Sequence, residues 1–281
     1  MSTLEAAAVE FAVEPVDQVL DLVGDPAHHG LALFMHGNQW MLMPELLRAF
    51  QQAQPEAPEV FYETLPPQVL VQQVRRGALR LGALLIRVAA DVLTLGLDAL
   101  DELAAEGWLR EYHPYATNRL AILVWQGNPK GIRGWSDLLL EDVRVALPDP
   151  ETEGIGRLVR EAVIEALGPD AWTELAHRKR ERGTAILTQI HHRQTPLLLL
   201  AGRVDAGPVW LTESLYQERS GAPLATVRLP EDQNRRSRYG VALLERCPHP
   251  EAARAFVDFL RGPVARETYH AYGFEAPAEG D

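Results

Sequence analysis

Short apolar runs of strand length alternate along the chain with segments whose apolar residues recur at helical spacing. The strand candidates are residues 31–35, 60–65, 92–95, 119–125, 143–148, 206–211 and 239–244. Helical spacing predicts helices around Met43–Phe50, Leu158–Leu167 and Ala253–Leu260, and Gly168 and Gly262 stand where the last two would end. This alternation is typical of parallel strands joined by helical crossovers, so the sequence predicts an α/β fold.

The length of the chain favours two lobes. A chain of 281 residues exceeds the roughly 250 residues at which single cores tend to split. A second strand–helix series follows YHPYATN (112–118), and the chain enters a further strand after PEDQNRRS (230–237). We therefore predict lobe 1 over 31–115 plus 232–281, lobe 2 over 116–231, and an appended, partly helical arm over 1–30. A chain that leaves a lobe and returns makes a two-strand hinge, and such lobes close on ligands held beyond the carboxyl ends of their strands.

Composition and charge exclude several classes of protein. A net charge of −12 argues against a nucleic-acid partner, which requires basic patches. No apolar run approaches the roughly 20 residues of a membrane helix, and the single cysteine, Cys247, allows neither an internal disulfide nor a thiolate zinc site. Neither a G-x-G-x-x-G nor a G-x-S-x-G pattern is present, so nucleotide binding and serine-hydrolase chemistry have no support. The amino terminus is acidic where a secretory leader would be basic, which predicts a cytoplasmic protein unless a leader has been removed.

Four segments of the chain carry a resemblance to a known family. The segments are YATNRLAILVWQGNPKGIRGWSDLL (115–139), ALPDPETEGIGRLVREAVIEALG (146–168), LAGRVDAGPVWLTES (200–214) and HPEAARAFVDFLRGPVARETYHAYGFEAP (249–277). In this order they resemble type II periplasmic solute-binding proteins of ABC transporters, nearest the molybdate- and tungstate-binding branch. The resemblance implies two Rossmann-like lobes joined by a two-strand hinge, with the ligand cleft between them. It also implies an extracytoplasmic, non-catalytic protein, expected to be a monomer without a cofactor, that delivers a small polar or anionic ligand to a membrane permease.

The resemblance also implies which residues bind the ligand. The branch holds an oxyanion through loop hydroxyls and through N–H groups at helix starts, where the helix dipole favours an anion. The matching positions, with their polar neighbours, give a predicted ligand-binding set of Asn38, Gln39, Thr64, Thr152, Glu153, His192, Arg193, Thr195 and Trp210. Both hydroxyls of the branch are replaced in this chain. Glu153 would repel a doubly charged oxyanion by about 4 kcal/mol at 4 Å unless it were protonated or turned away.

Several of these residues allow other interpretations. His191 and His192, with Glu153 and His36, could bind a metal, although the usual H-x-x-x-H spacing is absent. Arg193 could clamp an anion or pair with Glu153. The alternatives to transport are therefore a cytosolic sensor of the same fold and a metal-binding protein.

Local sequence around three further positions predicts structural features. Asp205 and Gly207 favour a structural role at a strand entry, since a side chain at Gly207 would obstruct the backbone. Thr195–Pro196 predicts a helix N-cap followed by proline. Trp40 could stack on a ligand or pack in the core.

Overall fold

The computed structural model describes residues 8–10, 21–151, 153–188 and 193–277. The strands are β1 (Val9–Glu10), β2 (Leu22–Val23), β3 (Leu31–His36), β4 (Val60–Leu65), β5 (Leu79–Leu81), β6 (Leu84–Ile86), β7 (Val92–Gly96), β8 (Leu109–Trp125), β9 (Val145–Pro148), β10 (Ala185–Thr188), β11 (Ala206–Trp210), β12 (Leu224–Arg228) and β13 (Arg236–Leu244). The helices are α1 (Met43–Ala53), α2 (Pro67–Arg76), α3 (Leu97–Ala105), α4 (Gly154–Leu167), α5 (Pro169–Thr173), α6 (Lys179–Glu181), α7 (Gln194–Leu200), α8 (Leu211–Arg219), α9 (Pro250–Arg261) and α10 (Pro263–Ala271). Among the described residues no helix is long and apolar enough to span a bilayer.

The chain divides into two compact units. Unit 1 holds the described residues up to Thr117, the segment Arg238–Ala271, and the described residues from Glu275 onward. Unit 2 holds the described residues of Asn118–Ser237 together with Tyr272–Phe274. The chain enters unit 2 within β8 and leaves it within β13.

Unit 1 contains a mixed sheet in the order β13-β7-β3-β4-β2. Strands β7, β3 and β4 are parallel, and the antiparallel strands β13 and β2 lie at either side. Apolar side chains of α2 and α3 pack with this sheet, among them Leu70, Leu100 and Leu103. Elsewhere in the unit the Phe50 ring of α1 meets the Phe256 ring of α9 edge-on, with centroids 5.1 Å apart. All of these aromatic and aliphatic side chains are buried.

The described part of the first 30 residues contains two short strands, β1 and β2. Val9–Glu10 pairs with Leu79–Arg80 in a small sheet made of β1, β5 and β6. Leu22–Val23 pairs with Tyr62–Glu63. No helix is present among residues 8–10 and 21–30, where a partly helical arm is expected; β1 and β2 instead pair with β5 and β4 of unit 1.

Unit 2 contains the sheet order β10-β9-β11-β8-β12. Strands β10, β9 and β11 are parallel, whereas β8 runs antiparallel to both β11 and β12. Helix α4 buries Ile155, Val159 and Ala162 in the core formed with this sheet. Asp205 stabilises the entry to β11, since its carboxylate accepts hydrogen bonds from Arg144 N at 2.8 Å, Nε at 3.1 Å and Nη2 at 2.7 Å. The predicted structural role of Asp205 is confirmed.

The described elements agree with most of the local predictions. All seven predicted strands are present, although β8 begins at Leu109 rather than Arg119. The three predicted helices are present, and Gly168 and Gly262 follow α4 and α9. The predicted start of α7 is wrong: the N-cap is Arg193, so Thr195 and Pro196 are the second and third helical residues. Proline is tolerated there because N–H groups of the first turn have no intrahelical acceptor.

Candidate functional site

Polar residues follow the parallel strands of unit 1. Strand β3 ends at His36, and a 3₁₀ turn over Gly37–Gln39 comes directly after it. Because β3, β4 and β7 are parallel, their carboxyl ends lie at the same edge of the sheet. Asn38 and Gln39 are completely buried at this edge, and Thr64 is buried near the end of β4.

Internal hydrogen bonds occupy most of the side-chain polar atoms of Asn38 and Gln39. Asn38 Nδ2 donates to the Tyr239 hydroxyl at 2.7 Å, and Asn38 N donates to His36 Nδ1 at 3.3 Å. Gln39 Nε2 donates to the Tyr115 hydroxyl, and Gln39 Oε1 accepts from the Tyr269 hydroxyl at 3.0 Å. Within the described residues, buried Asn38 Oδ1 has no hydrogen-bond donor. We call His36, Asn38, Gln39 and these tyrosines the unit 1 network.

Burial keeps the unit 1 network neutral. Burial lowers the pKa of His36 to about 4, so its imidazole is uncharged at pH 7. Burial likewise raises the pKa of Tyr115 to about 12, so its hydroxyl stays protonated. Thr64 lies outside this network, because its hydroxyl donates to Asp21 Oδ1 at 3.3 Å. The chemistry available in the unit 1 network is hydrogen bonding by neutral groups.

Unit 2 brings charged residues to the corresponding edge of its sheet. Strand β9 ends at Pro148, with Glu153 as the N-cap of the following helix α4. Thr188 ends β10, and Glu213 is the third residue of α8, immediately after β11. Since β9, β10 and β11 are parallel, these positions share one edge. Together with Arg193, the N-cap of α7, they form what we call the unit 2 cluster: Glu153, Thr188, Arg193 and Glu213.

Glycines allow the backbone of unit 2 to pack closely behind this cluster. A Cβ at Gly207 would lie 2.5 Å from Thr195 Cγ2 and 2.8 Å from the Ala146 carbonyl oxygen. A Cβ at Gly156 would lie 2.6 Å from the Asp149 carbonyl oxygen. The short distances at Gly207 confirm that a side chain at this position would clash with its surroundings. The close approach of Thr195 to Gly207 also explains why Thr195 is buried, since its methyl group packs on β11.

The carboxyl groups of the unit 2 cluster are poorly solvated. Glu153 Oε1 accepts a hydrogen bond from Thr188 Oγ1 at 2.5 Å, while Glu153 Oε2 has no donor within the described residues. Glu213 is 0 % exposed, and neither of its carboxyl oxygens has a donor there. Burial raises the pKa of Glu153 to about 7, a shift that the Thr188 hydrogen bond opposes. Burial raises the pKa of Glu213 well above its usual value; the charge of Arg193 lowers that pKa, and the charge of Glu153 raises it further.

The structure thus places the predicted ligand-binding residues in two groups. Asn38, Gln39 and Thr64 belong to unit 1, whereas Glu153, Arg193, Thr195 and Trp210 belong to unit 2. Trp210 ends β11 and is buried in the core of unit 2, and Trp40 is half-buried in unit 1. The predictions for Thr152, His191 and His192 fall outside the described residues.

Sequence reasoning missed two members of the unit 2 cluster. Thr188 ends β10, which was not among the predicted strands. Glu213 could have been found, because it lies two residues beyond the end of the predicted strand 206–211. The described part of the chain holds no group of three His, Cys, Asp or Glu residues placed to bind a metal ion. It therefore does not support the alternative that the chain is a metal-binding protein.

Two α/β units, each with buried polar groups at the carboxyl ends of parallel strands, have the arrangement in which α/β proteins bind small ligands. A family model described as bacterial extracellular solute-binding protein matches residues 31–275. The chain therefore belongs to the family of bacterial extracellular solute-binding proteins.

Individual relatives bind oxyanions according to their names. The chain is 28 % identical over 192 residues to the molybdate-binding protein ModA of Mycobacterium tuberculosis, an alignment that covers 67 % of this chain and 66 % of the relative, just under two thirds of its length. Among solved structures, the sulfate-binding protein SubI of M. tuberculosis matches with a TM-score of 0.73 at 20 % identity, covering 88 % of this chain and 86 % of SubI. The periplasmic molybdate-binding protein of Azotobacter vinelandii matches with a TM-score of 0.69 at 16 % identity, covering 88 % and 99 % of the two chains. These structural matches confirm the predicted two-lobed fold.

Proposed function

We propose that this chain is the extracytoplasmic solute-binding component of an ABC transporter and that it binds a small polar or anionic solute. The observation that carries the proposal is the family match over residues 31–275, together with relatives named as molybdate- and sulfate-binding proteins. A monomer that passes its solute to a membrane permease is the corresponding assembly.

The chemistry of the described residues is consistent with this proposal. Arg193 is 5 % exposed and supplies a guanidinium to the unit 2 cluster. A guanidinium presents several N–H donors in one plane, which suits the oxygens of a carboxylate or an oxyanion. Helices α4 and α8 begin at the same sheet edge, and helix N-termini favour negative charge. In unit 1, Asn38 contributes an amide that could bind a solute without adding charge. Closure of the two lobes on the solute stays a prediction.

A thermal-shift screen tests the proposed function. The solutes are molybdate, tungstate, sulfate, thiosulfate, phosphate, glycolate and acetate, each titrated at constant ionic strength. A solute present at a hundred times its dissociation constant adds about 2.7 kcal/mol of stability, a shift of several degrees in Tm. At least one of these solutes is expected to raise Tm in a saturable manner.

The variant Arg193→Ala tests the assigned anion-binding residue. The shift caused by an anionic solute is expected to disappear in this variant, while far-UV circular dichroism remains that of the parent. Arg203→Ala is the matched control, because Arg203 is an exposed arginine of the same unit. Equal binding by Arg193→Ala and the parent would show that the assignment of Arg193 is wrong. A screen in which no solute changes Tm would contradict the proposed function itself.

A further inference from the structure

The turn that follows β3 holds the imidazole of His36 in one tautomer. His36 is the last residue of β3 and the N-cap of the 3₁₀ turn Gly37–Gln39. The backbone N–H of Asn38 donates to His36 Nδ1 at 3.3 Å, so Nδ1 is an acceptor and carries no proton. In a neutral imidazole the proton then lies on Nε2. This tautomer does not depend on the orientation of the Asn38 side-chain amide, because the donor is a backbone group.

Two further contacts fix the position of the His36 ring. The His36 backbone N–H donates to Thr94 Oγ1 at 2.9 Å, which ties the end of β3 to β7. The ring packs edge-on against the Tyr239 ring, with centroids 5.0 Å apart and planes at 72°. Burial lowers the pKa of His36 to about 4, against the opposing effect of the Asn38 side chain, so the imidazole is neutral at pH 7. The ring is therefore a well-positioned, uncharged hydrogen-bond donor.

The donor Nε2–H has no acceptor in the described part of the chain. Within those residues the imidazole hydrogen bonds through Nδ1 alone. Asn38 Oδ1 is a buried acceptor of the same network, but it has no donor there, so Nε2–H does not reach it. His36 is 8 % exposed, and Nε2 is not one of the fully buried described atoms that lack a partner. Nε2–H is therefore accessible at the carboxyl end of β3, the edge at which α/β proteins bind ligands.

We infer that His36 is a solute-binding residue, whose Nε2–H donates a hydrogen bond to an oxygen of the bound anion. The inference rests on the proposed function and adds a residue that the predicted ligand-binding set does not contain. A hydrogen bond to a charged acceptor is about twice as strong as one between neutral groups. A neutral imidazole thus contributes affinity for an anion without the cost of burying a second charge.

A pair of substitutions separates solute binding from the structural role of the same ring. His36→Asn places an amide oxygen near the position of Nδ1, so it keeps the acceptor for the Asn38 N–H but has no donor at the position of Nε2. His36→Gln places an amide nitrogen near the position of Nε2, so it keeps that donor and loses the Nδ1 acceptor. His270→Asn is the control, because His270 is an exposed histidine of the same unit.

Isothermal titration calorimetry with the anions of the thermal-shift screen, molybdate through acetate, measures the effect. An anion that binds the parent should bind His36→Asn weaker by about tenfold or more, the equivalent of one hydrogen bond to a charged acceptor. His36→Gln and His270→Asn should bind it nearly as tightly as the parent. A purely structural role predicts the reverse order, because His36→Asn would then bind like the parent and His36→Gln would bind more weakly.

Nuclear magnetic resonance of the parent chain gives a second measurement that does not require either variant to fold. With isotope-labelled histidine, the spectra should show the His36 proton on Nε2. Addition of the tightest-binding anion of the screen should shift the Nε2–H resonance and slow its exchange with water. The His270 resonances should not change.

The outcomes distinguish the inference from the proposed function. If an anion binds and His36→Asn binds it as tightly as the parent, the inference is overturned and the proposed function stands. A proton on Nδ1, or an Nε2–H resonance that the bound anion does not change, has the same consequence, and this result decides the matter if both His36 variants weaken binding. If none of the anions binds to the parent, both the inference and the proposed function fail.

Discussion

Removing the charge of Glu153 should change how the stability of the protein depends on pH. Burial raises the pKa of this carboxyl to about 7 from a usual value of 4.5. Below pH 4.5 the Glu153 carboxyl is protonated in both the folded and the unfolded chain, so its ionisation does not change the free energy of unfolding. Between pH 4.5 and 7 the unfolded chain releases the proton while the folded chain retains it, so stability falls as the pH rises. Above pH 7 no further loss occurs.

The magnitude follows from the size of the pKa shift. Each pKa unit corresponds to about 1.4 kcal/mol, so a shift from 4.5 to about 7 costs about 3 kcal/mol at pH 8. Glu153→Gln cannot ionise and retains a carbonyl oxygen that can accept from Thr188. The variant should match the parent at pH 4.5 and exceed it by up to about 3 kcal/mol at pH 8. Domains of 150–250 residues gain roughly 2–4 °C in Tm per kcal/mol, so the expected difference is several degrees.

Thermal unfolding at pH 4.5, 6 and 8 without added anions measures this difference. Glu161→Gln is the control, and its difference from the parent should not change with pH, because its side chain is exposed. The reasoning is refuted if Glu153→Gln and the parent differ by the same amount at all three pH values. That result would mean that Glu153 ionises in the folded chain as readily as in water.

Two further substitutions test the packing of the units. Gly207→Ala places a Cβ 2.5 Å from Thr195 Cγ2, so urea unfolding should show a loss of about 1–3 kcal/mol in the free energy of unfolding. The control is Gly134→Ala, which should cost much less stability because no atom lies within 4 Å of the added Cβ. Equal losses in the two variants would contradict the packing argument. Tyr269→Phe removes the donor to Gln39 Oε1 and should lower the free energy of unfolding by about 1–3 kcal/mol, because a buried acceptor is left unsatisfied. An unchanged urea midpoint would show that this hydrogen bond contributes nothing to stability.

Much of the fold could be predicted because local pattern and tertiary structure agree. The strands β3, β4 and β7 are rich in apolar residues with few polar interruptions, as expected for parallel strands buried on both faces. Helices α4 and α9 combine an apolar stripe with a terminating glycine. The short edge strands β1 and β2 carry no such pattern, since pairing with unit 1 rather than local preference makes them strands.

The candidate site could be predicted only in part. The positions of Asn38 and Glu153 follow from their place after predicted strands and from the family resemblance, whereas the position of Arg193 follows from the resemblance alone. Their partners are distant in sequence: Tyr239 lies 201 residues from Asn38, and Thr188 lies 35 residues from Glu153. Pattern reasoning finds where a strand ends, but it does not say which side chains from other strands meet there. The burial that sets the pKa of Glu213 is likewise a property of the folded unit.

The most direct test of the central claim is calorimetric titration of the parent chain with the anion that gives the largest thermal shift. The account predicts saturable binding of one anion per chain, lost in Arg193→Ala and retained in Arg203→Ala. A flat titration with every anion of the screen, or equal binding by all three proteins, would contradict it.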